Sequence, residues 1–218
     1  MTEKLARLLH LASPALPVGA YSYSQGLEAA IEAGSVHDAA SAGRWIGDVL
    51  AHSLATMEAP LFLRLCAAWS AGDVVAAGRW NALFLASRDT AELRAETVQM
   101  GYSLSRLLPQ LGAGEVPLEE PSFPAAFARA VTAWGIDVRE ALVAYLWSWL
   151  ENQVLAAVKA LPLGQTDGQR MLVALGATLE EVAGRAAKLG DEEIGGYAPR
   201  LALLSSRHET QYSRLFRS

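Results

Sequence analysis

The sequence predicts an all-α fold, and three observations carry that prediction. Apolar residues recur at helical spacing along most of the chain. Ser, Asp, Pro and Gly fall where helices start and stop. No segment sustains the period-two alternation of a strand. The apolar share, 52%, is rich in Ala and Leu, which favour helices. The expected architecture is a single-domain bundle of about nine to ten helices around one apolar central helix.

In chain order, Leu5, Leu8, Leu9 and Ala12 share a face and give a first helix over residues 3–12. Pro14 stops it, and Leu16-Pro17-Val18-Gly19 has the residues of a type I turn. The chain re-enters a helix at Ser22 or Ser24, where Ser22 and Gln25 have capping-box spacing. Residues 11–28 thus form a rigid elbow flanked by Tyr21 and Tyr23. The second helix ends near Ala33, before Gly34. Ser35 and Asp38 open a third, with Trp45, Ile46, Val49, Leu50 and Leu54 inward. Pro60 suits the first turn of a separate fourth helix that stops at Gly72, and Asp73 opens a fifth.

Asp89 and Glu92 have the spacing to cap a sixth helix, which runs to Pro109; QLGAGEVPLEEP then reads as a loop. Ser122 and Pro124 start a seventh, closed by Gly135. Asp137 and Glu140 open an eighth, nearly all apolar to Pro162, which is the expected central helix. A ninth is expected over residues 166–189, then a flexible acidic hinge, a short helix over 199–206 and a basic tail. The division expected is a helical domain over residues 1–204 and a partner-binding tail over 205–218.

With 18 Lys+Arg against 23 Asp+Glu, the charge balance offers no general attraction to nucleic acid or anionic membrane. Cys66 is the single cysteine, so no intrachain disulfide or multi-cysteine metal site forms, and a reducing cytoplasm is the simplest compartment. The N-terminal run is too short and broken for a signal peptide, and ALVAYLWSWL meets Glu151 before reaching bilayer length.

Tests for catalytic chemistry come out negative. His208 to Tyr212 begins like HExxH but ends in Tyr, so the second zinc ligand is missing. Ser22 and Ser24 do not form GxSxG, and Gly164 to Arg170 lacks the lysine and hydroxyl of a phosphate loop. Neither a catalytic group, a metal ligand set nor a cofactor is assigned. Glu28 and Glu32 share a helix face that suits a basic or metal-loaded partner or plain solvent. Tyr21 and Tyr23 are either buried with satisfied hydroxyls or presented as a contact surface. Lys159, a single cation near the end of an apolar helix, complements that helix's C-terminus. The tail interleaves Arg207, Arg214 and Arg217 with Tyr212, Leu215 and Phe216. These three apolar residues share one face if helical, the pattern of a segment that docks into a groove; the alternative is a tail folded back on its own domain.

The elbow segment SPALPVGAYSYSQGLE and the final SSRHETQYSRLFRS resemble the N-terminal signature and C-terminal tail of the UreF family of urease accessory proteins. The resemblance implies a cytoplasmic, homodimeric, non-enzymatic factor that bridges UreD (also called UreH) and the GTPase UreG during nickel insertion into apo-urease. It places Arg207, His208, Glu209, Tyr212, Arg214, Leu215 and Phe216 on the UreD-facing surface. Pro17, Gly19, Tyr21, Ser24, Gln25 and Glu28, with Arg88, Glu92 and Lys159, are its candidates for UreG contact. Ala20 stands where a second glycine is common in that elbow. Two rival readings are an all-α enzyme, which needs an activated nucleophile or metal cluster, and a ligand-binding helical regulator, which needs a small-molecule cavity and no tail.

Overall fold

The computed structural model describes residues 2–218. Among them the chain forms α-helices, a π-helical stretch and short 3-10 turns, with no strand. The α-helices are α1 (Thr2–Ala12), α2 (Leu27–Glu32), α3 (Ala39–Val49), α4 (Ala59–Ser70), α5 (Val74–Ala86), α6 (Ala91–Leu107), α7 (Phe123–Ala133), α8 (Val138–Ala160), α9 (Gln165–Gly176), α10 (Leu179–Ala186) and α11 (Pro199–His208).

The expected central helix is α8, which packs on α1, α2, α3, α4, α7, α9 and α10. It buries Leu142, Leu146, Leu150 and Val154, and each such side chain contributes roughly 1.5–3 kcal/mol by leaving water. Tyr145, also buried on α8, joins Phe62, Phe123 and Phe127 in an aromatic cluster with ring centroids 5.0–5.9 Å apart. Gly168 lets α9 close on α8, since a Cβ there would lie 2.8 Å from Val158.

Helix starts follow local side-chain chemistry. Asp73 accepts from the Ala76 N–H, Ser122 from Ala125, and Asp137 from Arg139 and Glu140. Three starts differ from expectation. Asp38 caps α3 in a reciprocal box with Ser41, and Thr90 rather than Asp89 caps α6. At α2 the Ser22–Gln25 box does not form: Gly26, left-handed at φ 77°, precedes the helix. Gln25 at φ 51° is left-handed too, a conformation that costs a non-glycine residue energy and needs outside support.

Two expected helix boundaries are also corrected. The third and fourth helices run continuously, because the chain widens into a π-helical stretch over Leu50–Glu58 where a break was expected. Pro60 explains the widening. It has no N–H to give the Thr56 carbonyl one turn back, and its ring crowds that carbonyl. The freed oxygen accepts instead from the Gly195 N–H at 3.0 Å, while the His52 carbonyl accepts from Tyr197. The acidic hinge is accordingly a pinned strap, held also by Arg64, which donates to Asp191 and to the Leu189 carbonyl. The expected ninth helix is two, α9 and α10, separated at Ala177 and Thr178.

The loop after α6 is fixed by Asn81, which donates to the Glu120 carbonyl and accepts from the Ser122 N–H. This brings the loop against Gly101 of α6, where an added Cβ would strike the backbone of Pro121 and Ser122. Gly101→Ala is therefore expected to destabilise the chain by about 3 kcal/mol or more, read as a fall in denaturation midpoint. Gly184→Ala, with nothing near its added Cβ, should not lower it.

Candidate protein-interaction site

The elbow is built from three short turns. Pro14 occupies the second position of the Ser13–Leu16 turn, closed by the Leu16 N–H on the Ser13 carbonyl at 2.9 Å. A tighter turn centred on Pro17 follows, the Val18 N–H donating to the Leu16 carbonyl at 2.7 Å, in place of the expected type I turn. Gly19 then takes φ 79°, open to the side, and Ala20–Ser22 make one 3-10 turn. Leu16 and Val18 are buried, so the elbow is nailed to the core at two points while Pro17 stays exposed.

The two tyrosines part company. Tyr23 is buried: its hydroxyl donates to Gln99 of α6, and its carbonyl accepts from Asn152 of α8. Burial, and next the charge of Glu96, raise its phenol pKa. Tyr21 is 71% exposed. Gln25 ties the strained position down by donating to Glu96 at 2.6 Å and accepting from the Trp149 indole N–H at 2.6 Å.

The C-terminal tail lies across this elbow. The Leu215 and Phe216 N–H groups donate to the Glu28 carboxylate at 2.6 and 3.0 Å. His208 is fully buried, with Nδ1 2.6 Å from Glu92 and Nε2 3.2 Å from Glu28. Arg214 reaches the other oxygen of Glu92 at 2.6 Å, and Glu209 accepts from the Glu92 N–H. Ser24 donates to the Ser218 carbonyl from its N–H and its hydroxyl, and the Arg217 N–H donates to Ser22. The Ser218 hydroxyl donates to Glu96 at 2.6 Å. Lys159 stands over the Phe216 ring, 4.6 Å from its centroid. Chain positions up to 194 residues apart thus form one surface.

Chemically, this is a clasp of three carboxylates, Glu28, Glu92 and Glu96, facing inward onto the tail. Glu28 and Glu92 hold opposite nitrogens of His208, so they do not converge on a point as metal ligands would. Among the described residues no group of three or more His, Cys, Asp or Glu is placed to hold a metal ion. A hollow of about 90 Å³, lined by Glu96, Glu58, Tyr145, Met100 and Trp149, opens beneath the elbow and has room for waters.

The UreF family model matches residues 36–176. The urease accessory protein UreF of Azoarcus sp. strain BH72 is 59% identical over 98% of this chain and 95% of its own length. The chain belongs to the UreF family. The UreF of Dechloromonas aromatica strain RCB is 53% identical over 99% of this chain and 98% of its own. A Bordetella bronchiseptica relative named bifunctional urease accessory protein UreEF is 52% identical over 99% of this chain, which spans 52% of it. By family name, a UreF protein is an accessory factor of urease. Among the described residues no helix is long and apolar enough to cross a membrane.

In this UreF-family chain the sequence-derived site residues fall into three groups. Pro17, Tyr21, Lys159, Arg207, Glu209, Tyr212, Arg214 and Leu215 are exposed, and Gly19 is partly so. Ser24, Glu28, His208 and Phe216 are buried in the clasp, while Gln25 and Glu92 are partly buried there and hold it. Arg88 stands apart from the clasp. It donates to the buried Glu58 at 2.7 Å, and Glu58 also accepts from the Tyr145 hydroxyl. The tail is not helical beyond α11, so Tyr212, Leu215 and Phe216 do not form a helical face: the first two point out and the third in. Glu28 does not join Glu32 as an outward pair, and the basic group it meets is His208.

Sequence reasoning missed Glu96. Its signal was present, since Leu93, Glu96, Met100 and Leu104 keep the inward helical spacing of α6 and an acid among them demands partners. Glu28→Ala removes the acceptor of two tail amides and one face of His208. Charge-assisted bonds of this kind are worth about 1.5–3 kcal/mol. Hydrogen exchange at Leu215 and Phe216 is therefore expected to accelerate at least about tenfold, with helical circular dichroism retained.

Proposed function

We propose that this chain is a non-catalytic bridging factor of urease maturation, acting in the cytoplasm as a homodimer. Its partners are UreD (UreH), the GTPase UreG and apo-urease. In this reading it couples UreG recruitment and GTP hydrolysis to nickel insertion. Nickel is cargo, and the chain supplies surfaces rather than bond-making groups. Family membership supports the urease role, and the fused Bordetella relative supports action within an assembly.

The observation that carries the reading is the elbow–tail surface. Its exposed groups, Tyr21, Lys159, Tyr212, Leu215 and Arg217, are aromatic, apolar and cationic side chains, while the acids beneath are occupied by the tail. Tyrosine and arginine on a pre-ordered backbone are the usual anchors of protein interfaces, because little freedom is lost on docking. We assign the tail residues Arg207 to Phe216 to UreD and the elbow with Lys159 to UreG. Because tail and elbow share the Glu28 clasp, the two docking events are coupled. Glu28, Ser24, Gln25, His208, Glu92 and Phe216 act as its frame, and Arg88 as an internal brace.

Co-purification tests this. Tyr212→Ala with Leu215→Ala removes exposed side chains only, and is expected to weaken UreD capture at least about tenfold with an unchanged melting temperature. Deleting residues 205–218 should abolish it. Tyr21→Ala with Lys159→Glu should weaken UreG capture in the presence of UreD. Normal UreD capture by the truncated chain would overturn the assignment.

A further inference from the structure

We propose that docking of the tail on the elbow takes up a proton at Glu96, so that the tail is held at acidic and neutral pH and loosens as the medium becomes alkaline. The inference deepens the elbow–tail surface proposed above and rests on that reading for its consequence in partner capture.

The geometry begins with where Glu96 sits. Its side chain is 4% exposed, on the inward face of α6, with the tail's last described residue closing over it. One oxygen lies 2.6 Å from the Ser218 hydroxyl, which donates to the carboxylate and turns to accept once the carboxyl is protonated, and the other accepts from the Gln25 amide. Among the described residues no Lys, Arg or His forms an ion pair with it. Two neutral donors do not repay the desolvation of a full charge.

Every element packed around Glu96 brings its own groups. The π-helical stretch brings Glu58, whose charge opposes that of Glu96, and the turn after α5 brings Arg88, which favours it but is taken up by Glu58. From α8 comes the phenol of Tyr145, and from the elbow that of Tyr23, with Arg217 of the tail beside it. One turn before Glu96 on α6, Glu92 is engaged with His208 and Arg214, and Glu28 of α2 is engaged with His208. Burial accordingly pushes the Glu96 carboxyl from 4.5 up to about 7, the bonds from Ser218 and Gln25 offsetting only part.

The direction follows from linkage. Releasing the tail uncovers Glu96 and lets its pKa fall toward the ordinary carboxylate value. A group whose pKa is higher in the docked state stabilises that state fully below its released pKa, and the contribution disappears as pH rises through the docked one. The hollow beneath the elbow gives the proton a path to water.

The test is amide hydrogen exchange over residues 209–218 of the full chain, without partners, corrected for the intrinsic rate at each pH. Protection is expected to fall by up to about tenfold between about pH 6 and about pH 8. Glu96→Gln, which keeps the shape and removes the titration, should flatten that slope. Should the variant misfold, a carbon-13 titration of the Glu96 carboxyl in the unaltered chain reads the same quantity. A midpoint near 7 supports the proposal, and one in the ordinary carboxylate range overturns it. Equal protection at both pH values, or an unchanged slope in Glu96→Gln, overturns it as well. Because no partner is present, failure here speaks to the proton linkage, whereas failed co-purification speaks to the bridging role.

Discussion

The Glu28 carboxylate is the point on which this surface depends. It sits in the first turn of α2, a helix of six residues that is too short to persist by its own propensity. Buried there without partners, a charge would be costly. The tail supplies the partners: two backbone N–H groups and the imidazole of His208 converge on its two oxygens. Once this contact is made, the other tail contacts follow within a few residues. Arg214 reaches Glu92, Phe216 slides under Lys159, and Ser218 reaches Ser24 and Glu96.

Strain in the elbow points to the same conclusion. Gln25 and Gly26 are consecutive left-handed residues, and only Gly26 adopts that conformation freely. A side chain at Gly26 would also meet Ser205 and Leu201 of α11, so the close approach of α11 to α2 needs a glycine there. Gln25 is held by Glu96 and Trp149, one from each of the long helices α6 and α8. The elbow is thus a rigid mount, set by the core on one side and the tail on the other. A surface fixed in this way loses little entropy when a second protein docks on it.

Much of the fold was legible because the deciding interactions are local. Asp73, Ser122 and Asp137 announce helix starts through bonds to N–H groups two or three residues away, and α8 declares itself by an apolar run of the right length. What escaped was long-range. The π-helical stretch depends on Pro60 together with a strap some 135 residues later in the chain, as in the Gly195 contact to Thr56. The division of the expected ninth helix depends in part on packing, because Gly176 sits where a Cβ would lie 3.0 Å from the Trp147 ring. The same limit applied to the site. Alternating cationic and aromatic residues mark the tail as a docking segment, but composition does not say that its first docking surface is its own elbow. Nor does a lone Glu96 reveal its partners until Gln25 and Ser218 are brought to it.

The central claim is that tail and elbow form one ordered surface in the free chain. The most direct measurement is the nuclear Overhauser effect between the Phe216 ring and the Lys159 side chain, with the Leu215 and Phe216 amide shifts recorded in the same spectra. The structure requires cross-peaks between ring and ε-methylene protons, and amide shifts moved downfield by the Glu28 carboxylate. Missing cross-peaks together with random-coil amide shifts would contradict it.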